Sequence, residues 1–389
     1  MKSARLQMLM PWHAGCFDPS HATRHRTGES PMMQRRHFLA LALAATSALT
    51  LPALAQTAPD SAQATAPVKA MDRTERQAVL RDLADSLENN FVFPDIGSRY
   101  ATLLRQKAEA DAYADLTDPV AFGERVTADL QAVAKDGHLR LAPQEVFASR
   151  APRRPAPDAP ASTKASGPPG LEETKMIGDV AYLRFNAFMG DEGMIARARG
   201  FLLDNAGKAK AVIIDARPHR GGGLAEMDAI LPLLYAQPTT LVRMDTRASA
   251  FARGMPPFAS LVNRVAPDGI VRQDHTVTPD LSEMRLQSVP VYYLTSRRSA
   301  SAAEHLALAF KRTKRATLVG EKTAGAGHYG GVEPVGERFG AFIPVGRTYN
   351  PDNDWGWEGQ GVAPDVETPA DDALAKALEL AGKAGAHPA

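Results

Sequence analysis

Cysteine is nearly absent from this chain. The single one, Cys16, stands ahead of a segment that reads as an export signal, so the mature protein is expected to hold no disulfide, no thiolate nucleophile and no thiolate metal ligand. An excess of one charge is missing as well: 45 Lys and Arg face 44 Asp and Glu, and no basic stripe points to nucleic acid. No His-Glu-x-x-His or comparable histidine and carboxylate spacing occurs, which leaves a metal hydrolase with little support. Neither phosphate-loop spacing is met, so a nucleotide-binding loop has little support too. Long uninterrupted apolar runs are also lacking. The strongest one, inside residues 32–56, is broken by Thr46, Ser47, Thr50 and Pro52 and is short for a membrane span.

That stretch does carry information. MMQRRHFLALALAATSALTLPALAQ sets Arg35 and Arg36 before an apolar region that ends in Ala53-Leu54-Ala55, the layout of an n-region, an h-region and a small-residue cleavage site. Its Arg-Arg-x-Phe-Leu core resembles a twin-arginine signal. The expectation is a periplasmic or secreted protein, cut after Ala55, with no stable membrane anchor. Translation is expected to start at Met32 or Met33, leaving residues 1–31 outside the structured protein. Removing residues 1–55 leaves 39 basic against 42 acidic side chains, a net charge of −3.

Composition divides the remainder. Residues 56–71 form a flexible lead-in rich in Ala, Pro, Gln and Thr. Residues 72–148 read as a small helical subdomain: Asp72 and Glu75 have cap spacing, and Val79, Leu80, Leu83 and Leu87 share one face. Tyr100, Leu103 and Leu104 suggest a second helix, and Asp118-Pro119 opens a third that carries Phe122, Val126, Leu130 and Val133. Residues 149–172, with six prolines, make a linker. From 173 to 385 short apolar strands alternate with helices, at 180–185, 193–205, 211–215, 224 onward, 289–294 and 301 onward, which points to an α/β layer structure. Residues 253–286 show no clear period and read as a loop over a groove.

The chemistry-bearing residues lie on separate segments. Ser301 follows a strand-like run and precedes a helix-like one, and Ser301 with Glu304 has capping-box spacing. A serine there either caps the helix or attacks a carbonyl, because free N–H groups and the positive end of a helix dipole stabilise an oxyanion. Gly221, Gly222 and Gly223 sit in a strand-to-helix turn, where bare amides can face a ligand oxygen. His138, after Asp136-Gly137, can act as a general base on the serine. Glu358, between Trp355, Trp357 and several glycines, can orient that base. His305, one helical turn after Ser301, and His328, in a glycine-rich loop, are competing histidines that could line a pocket, and His219 sits beside the glycines.

In this order, VAYLRFNAF, VIIDARPHRGGG, LTSRRSASAAE, LVGEKTAGAGHYGG, FIPVGRTYNP and WEGQGVAPDV resemble the serine peptidase superfamily of C-terminal processing proteases, the tricorn core and interphotoreceptor retinoid-binding protein. The likeness spans about residues 72–380, and its last segments look most like the retinoid-binding-protein-like branch. It implies a ClpP/crotonase-like β/α superhelical core behind a small N-terminal helical bundle. It also implies an exported serine hydrolase that acts on peptide or protein through an acyl-enzyme, with no cofactor and no metal. Ser301 then matches the nucleophile, His138 the base and Glu358 the acidic member, with Gly222 and the N–H of Ala302 as the oxyanion hole. Two departures stand out. Ala326 occupies the place of the lysine of a serine-lysine dyad, and Gly137 that of the serine beside the tricorn-type histidine. The rival reading is a noncatalytic carrier of apolar ligands or peptides on the same fold.

Overall fold

The computed structural model describes residues 69–150, 170–254 and 258–385. The expected export signal, the segment before it and most of the proline-rich linker lie outside these residues. Three helices come first: α1 (Arg73–Asn90), α2 (Pro94–Glu109) and α3 (Pro119–Val133). Their starts follow from local chemistry. Asp72 and Asp118 each accept from a backbone N–H three residues on, and Pro94 and Pro119 occupy first-turn positions where no N–H is needed. The apolar faces of α1 and α3 are buried together with Phe339, Ala341 and Ile343 of a later strand, so helices and sheet share one core cluster.

The chain continues through β1 (Arg140–Pro143), α4 (Gln144–Arg150), β2 (Leu171–Ile177), β3 (Val180–Phe185), α5 (Glu192–Asn205), β4 (Ala211–Asp215) and α6 (Ala225–Ile230). Then come β5 (Thr239–Arg247), α7 (Ala248–Ala252), β6 (Leu261–Arg264), β7 (Ile270–Val277), β8 (Val291–Thr295), α8 (Ala302–Thr313), β9 (Thr317–Gly320), β10 (His328–Val335), β11 (Phe339–Tyr349), β12 (Val366–Glu367) and α9 (Ala373–Gly385).

Two sheets result. One has the order β12-β9-β8-β4-β3-β2 and is parallel except at the β2 edge. Every residue of β4 and β8 is buried, as expected for central strands covered on both faces. The other sheet is antiparallel, order β1-β11-β5-β7-β6, with β10 also paired to β11. It holds β1, which follows the helices, against β11 near the far end of the chain. The stretch 253–286, expected as a loop, supplies β6 and β7 of this sheet. Its strands escape a two-residue periodicity search because the side chains of β7 are mostly half-buried on both faces.

No helix of the described residues is long and apolar enough to cross a membrane.

Candidate active site

Ligand sites in parallel sheets form where neighbouring strands end, because the loops leaving them emerge side by side. β4 and β8 are such neighbours, paired in parallel up to Asp215 and Leu294. The two loops beyond them are stitched together. Ser296 Oγ donates to Arg217 O at 2.6 Å, Ser299 Oγ to Ala216 O at 2.7 Å, and Ala300 N to His219 O at 3.0 Å. This brings the glycine turn against the serine turn. A Cβ added to Gly221 would lie 2.8 Å from Ser301 Cβ and 3.2 Å from its Oγ. A Cβ on Gly222 would lie 1.8 Å from Phe188 O, and the Gly222 φ is 130°, so only glycine fits.

Ser301 itself has φ 56° and ψ −115°, a left-handed conformation costly for a residue with a Cβ. Ser301 and Glu304 stand in the capping-box arrangement that their spacing predicts, with the Glu304 N–H bonded to Ser301 O at 2.8 Å. The glutamate closes the other side, because Glu304 Oε2 accepts from Ser301 N at 2.9 Å. Glu304 is fully buried and does more than cap. Its carboxylate also accepts from Thr323 Oγ1 at 2.6 Å, Gly325 N at 2.6 Å and Ala326 N at 2.8 Å, which ties the loop 323–327 to the serine turn. With Ser301 N engaged, the amides left without a hydrogen bond beside the hydroxyl are Gly222 N and Ala302 N, the pair expected as an oxyanion hole.

A cavity of about 690 Å³ opens here, lined by Ser301, Ala302, Gly222, His305, Ala326 and Gly327, with apolar walls that include Phe258 and Trp357. His138, Glu358 and His328 are not on that lining. They form a second cluster behind the Ala326–Gly327 edge. Glu358 Oε1 accepts from Gly137 N at 2.6 Å, and Glu358 Oε2 accepts from Gly327 N at 2.5 Å and His328 N at 3.0 Å. Glu358 thus holds the backbone on either side of the histidines and does not bond to the His138 ring. That ring stacks on Phe342 with centroids 5.1 Å apart, and its Nδ1 is buried with no partner. Burial pushes His138 below the ordinary histidine range, against the opposing pull of Asp136 and Glu358.

Asp136, read from the sequence only as part of a turn, is buried and central. It accepts from His138 N and Leu139 N and pairs with His328 Nδ1 at 2.7 Å. Burial pushes its carboxyl up, but these bonds hold it below its usual range. One ligand atom from each of Asp136, His328 and Glu358 lies within 4.8 Å of the others. A cation there would have to displace the hydrogen bonds just described, so the donor set is poorly suited to a resident metal.

His219 is fully buried, with Nδ1 accepting from Gly221 N at 3.0 Å and Phe188 edge-on at 4.2 Å. Burial pushes it down to about 3. The folded ring therefore stays neutral where the unfolded one, near 6.5, takes up a proton. Its contribution to stability is complete above pH 6.5 and declines as pH falls toward 3. Lowering the pH from about 7 to about 5 should cost about 2 kcal/mol through this residue. His219→Asn, whose Oδ1 keeps the acceptor for Gly221 without ionising, should flatten that slope in urea melts. An unchanged slope would remove His219 from the account.

Sequence reasoning missed three further members. Glu304 was visible as a cap, but its reach to residues 323–326 was not. His275 and Asp228 join His305 in a hydrogen-bonded chain, with His305 Nε2 2.8 Å from His275 Nδ1 and His275 Nε2 3.0 Å from Asp228 Oδ1, and His275 lies in the stretch that reads as a loop.

Residues 179–368 match the model of peptidase family S41, and residues 60–177 match that of the N-terminal domain of this family in eukaryotic IRBP. Among solved structures, a candidate peptidase from Parabacteroides merdae is 14% identical at a TM-score of 0.51, over 80% of this chain and 97% of that one. A lipoprotein from Streptococcus agalactiae is 15% identical at a TM-score of 0.50, over 82% and 98%. The photosystem II D1 C-terminal processing protease is 16% identical at a TM-score of 0.49, over 76% and 94%. At these identities the first two likenesses speak to fold alone.

Proposed function

Because the chain belongs to peptidase family S41, a family of serine peptidases, we propose that Ser301 is the nucleophile of an exported peptidase that works through an acyl-enzyme. The observation that carries this is the serine's strained backbone between two unengaged amides. A plain cap needs no left-handed φ, whereas a nucleophile on a sharp strand-to-helix turn is held out to its substrate by one.

Ser301 Oγ attacks the carbonyl carbon of a peptide or protein, and its proton passes to the neutral His138 imidazole, a transfer that requires this ring, off the cavity lining here, to reach the hydroxyl when substrate binds. The carbonyl oxygen, now an anion, accepts from Gly222 N and Ala302 N. The amine leaves with the proton from His138. Water then attacks the ester with the same histidine as base, and Ser301 is regenerated. Glu358 serves this step by holding Gly137, Gly327 and His328 in place around the base. The arrangement fits the two departures from the family pattern, since neither a lysine at Ala326 nor a serine at Gly137 is needed for these roles. Export rests on the Arg35-Arg36 signal and the Ala53-Leu54-Ala55 site.

The test is labelling with a fluorophosphonate across pH. The base must be neutral, so the rate should rise with pH and level off. Because His138 lies below its ordinary 6.5, half of the plateau should be reached below that pH. No labelling at any pH would overturn the nucleophile. A rise confined to alkaline pH would overturn His138 as its base.

A further inference from the structure

Glu226 is a buried carboxylate that the mechanism leaves unused. It stands in the first turn of α6, two residues after Leu224 of the cavity wall, and is fully buried. Its Oε1 accepts from Gly190 N at 2.7 Å, and its Oε2 is buried with no partner. Burial pushes its carboxyl up, against the pull of the backbone amides of Gly190, Glu226 itself and Met189. For stability alone this is a poor choice of residue. A carboxylate taken out of water for so few hydrogen bonds costs more than an apolar side chain of the same size. Gly190 is exposed, so its N–H would find water if the carboxylate were absent.

What the bond holds is the segment between β3 and α5. Gly190 turns there with φ 67°. Phe188 O and Met189 N belong to one rigid peptide unit, and Met189 O and Gly190 N to the next. Glu226 acts on the N–H side of both units, by its hydrogen bond at Gly190 and by the further pull of the Met189 N–H. The other side of the first unit is Phe188 O, which accepts from Gly223 N at 2.9 Å. Phe188 N donates to Gly221 O at 2.9 Å, so residue 188 bridges to Gly222 from both neighbours of that glycine. The Phe188 ring, edge-on to Phe185 and His219, fixes where the residue sits. The direction of its carbonyl is set by the peptide unit, and Glu226 is the side chain that grips that unit.

We propose that Glu226 is a positioning residue for the oxyanion hole: by fixing the two peptide units around Met189 it sets the Phe188 carbonyl, and through that carbonyl the direction of the Gly222 N–H. The inference rests on the peptidase reading for what this N–H does, but the coupling itself can be measured without turnover. Removing an oxyanion donor costs about a hundredfold or more in rate, so turning one from its best direction should cost about tenfold.

The test compares full chains carrying Glu226→Leu, which keeps the bulk and loses the acceptor, and Glu226→Gln, which keeps a carbonyl oxygen for Gly190. The readouts are the urea midpoint, the rate of fluorophosphonate labelling, and amide hydrogen exchange at Gly223, with Gly325, held by Glu304, as the reference. Glu226→Leu should melt at a urea concentration no lower than the parent's. It should label about tenfold more slowly and exchange Gly223 about tenfold faster, with Gly325 unchanged. Glu226→Gln should bring labelling and exchange back to within about threefold of the parent. A carboxylate that serves stability alone would give the reverse pattern, a lower midpoint with labelling of the folded protein unchanged. That pattern would overturn the proposal. So would Gly223 exchange at the parent rate in Glu226→Leu, or a Glu226→Gln chain as impaired as Glu226→Leu. A parent chain that does not label would strike the peptidase reading instead, and Gly223 exchange would still decide the coupling.

Discussion

Ser301→Ala should lose fluorophosphonate labelling and peptide turnover by several powers of ten while remaining folded, with a stability change below about 1 kcal/mol. An N-cap serine replaced by alanine typically costs about 0.5 to 2 kcal/mol, because a backbone N–H loses its acceptor. Here the Glu304 N–H is already bonded to Ser301 O and the Glu304 carboxylate closes the helix end, so little of that cost falls on the hydroxyl. The backbone sharpens the contrast. At φ 56° a glycine relieves strain that serine and alanine both carry, so Ser301→Gly should be equally inactive yet more stable than the parent by about 1 kcal/mol. Stability and activity then move in opposite directions at one position, as expected where strain serves chemistry. Urea melts and labelling on the same samples check this. A Ser301→Ala chain that cleaves peptide at the parent rate would remove Ser301 as the nucleophile and return it to its capping role, whereas a parent chain that neither labels nor cleaves would favour the apolar-ligand carrier.

How much of this could be read without coordinates depends on the range of the interaction. The caps at Asp72 and Asp118, the buried strands β4 and β8 and the turn at Gly221–Gly223 are local patterns, and each appears at its expected place. β6 and β7 were hidden because neither alternates cleanly: the edge strand β6 is mostly exposed, and its inner neighbour β7 is mostly half-buried on both faces. β1 was hidden because its pairing with β11 depends on a partner about 200 residues away, which no short window contains. The site divides in the same way. Ser301, Gly222 and Ala302 meet because adjacent parallel strands end together, a consequence of topology that the strand order carries. His138 and Glu358 meet through backbone amides of loops, so the expected contact between carboxylate and imidazole is replaced by a carboxylate that braces the main chain.

Glu304 shows the limit of a motif most clearly. Spacing identifies it as the partner of a cap, and on that ground alone its loss should cost about 1 kcal/mol. The structure gives the same carboxylate four donors: Ser301 N, Thr323 Oγ1, Gly325 N and Ala326 N. Glu304→Gln keeps the volume but converts one accepting oxygen into a donating NH2, which must face at least one of those donors inside a buried site. Leaving buried donors unpaired costs about 1 to 3 kcal/mol each, so the variant should lose about 3 kcal/mol of stability. It should also lose activity at temperatures where it is still fully folded, because the same bonds fix the serine turn and the Ala326 wall of the cavity. Labelling should fall by about a hundredfold, while Ser301→Ala loses labelling with little stability change. Glu304→Ala, which removes every acceptor and leaves a cavity, should be less stable still. A Glu304→Gln protein that melts within about 1 kcal/mol of the parent and labels at the parent rate would reduce the glutamate to a helix cap and leave the loop 323–327 to be held by Glu358 and by its backbone bonds to Ser299 and Val362.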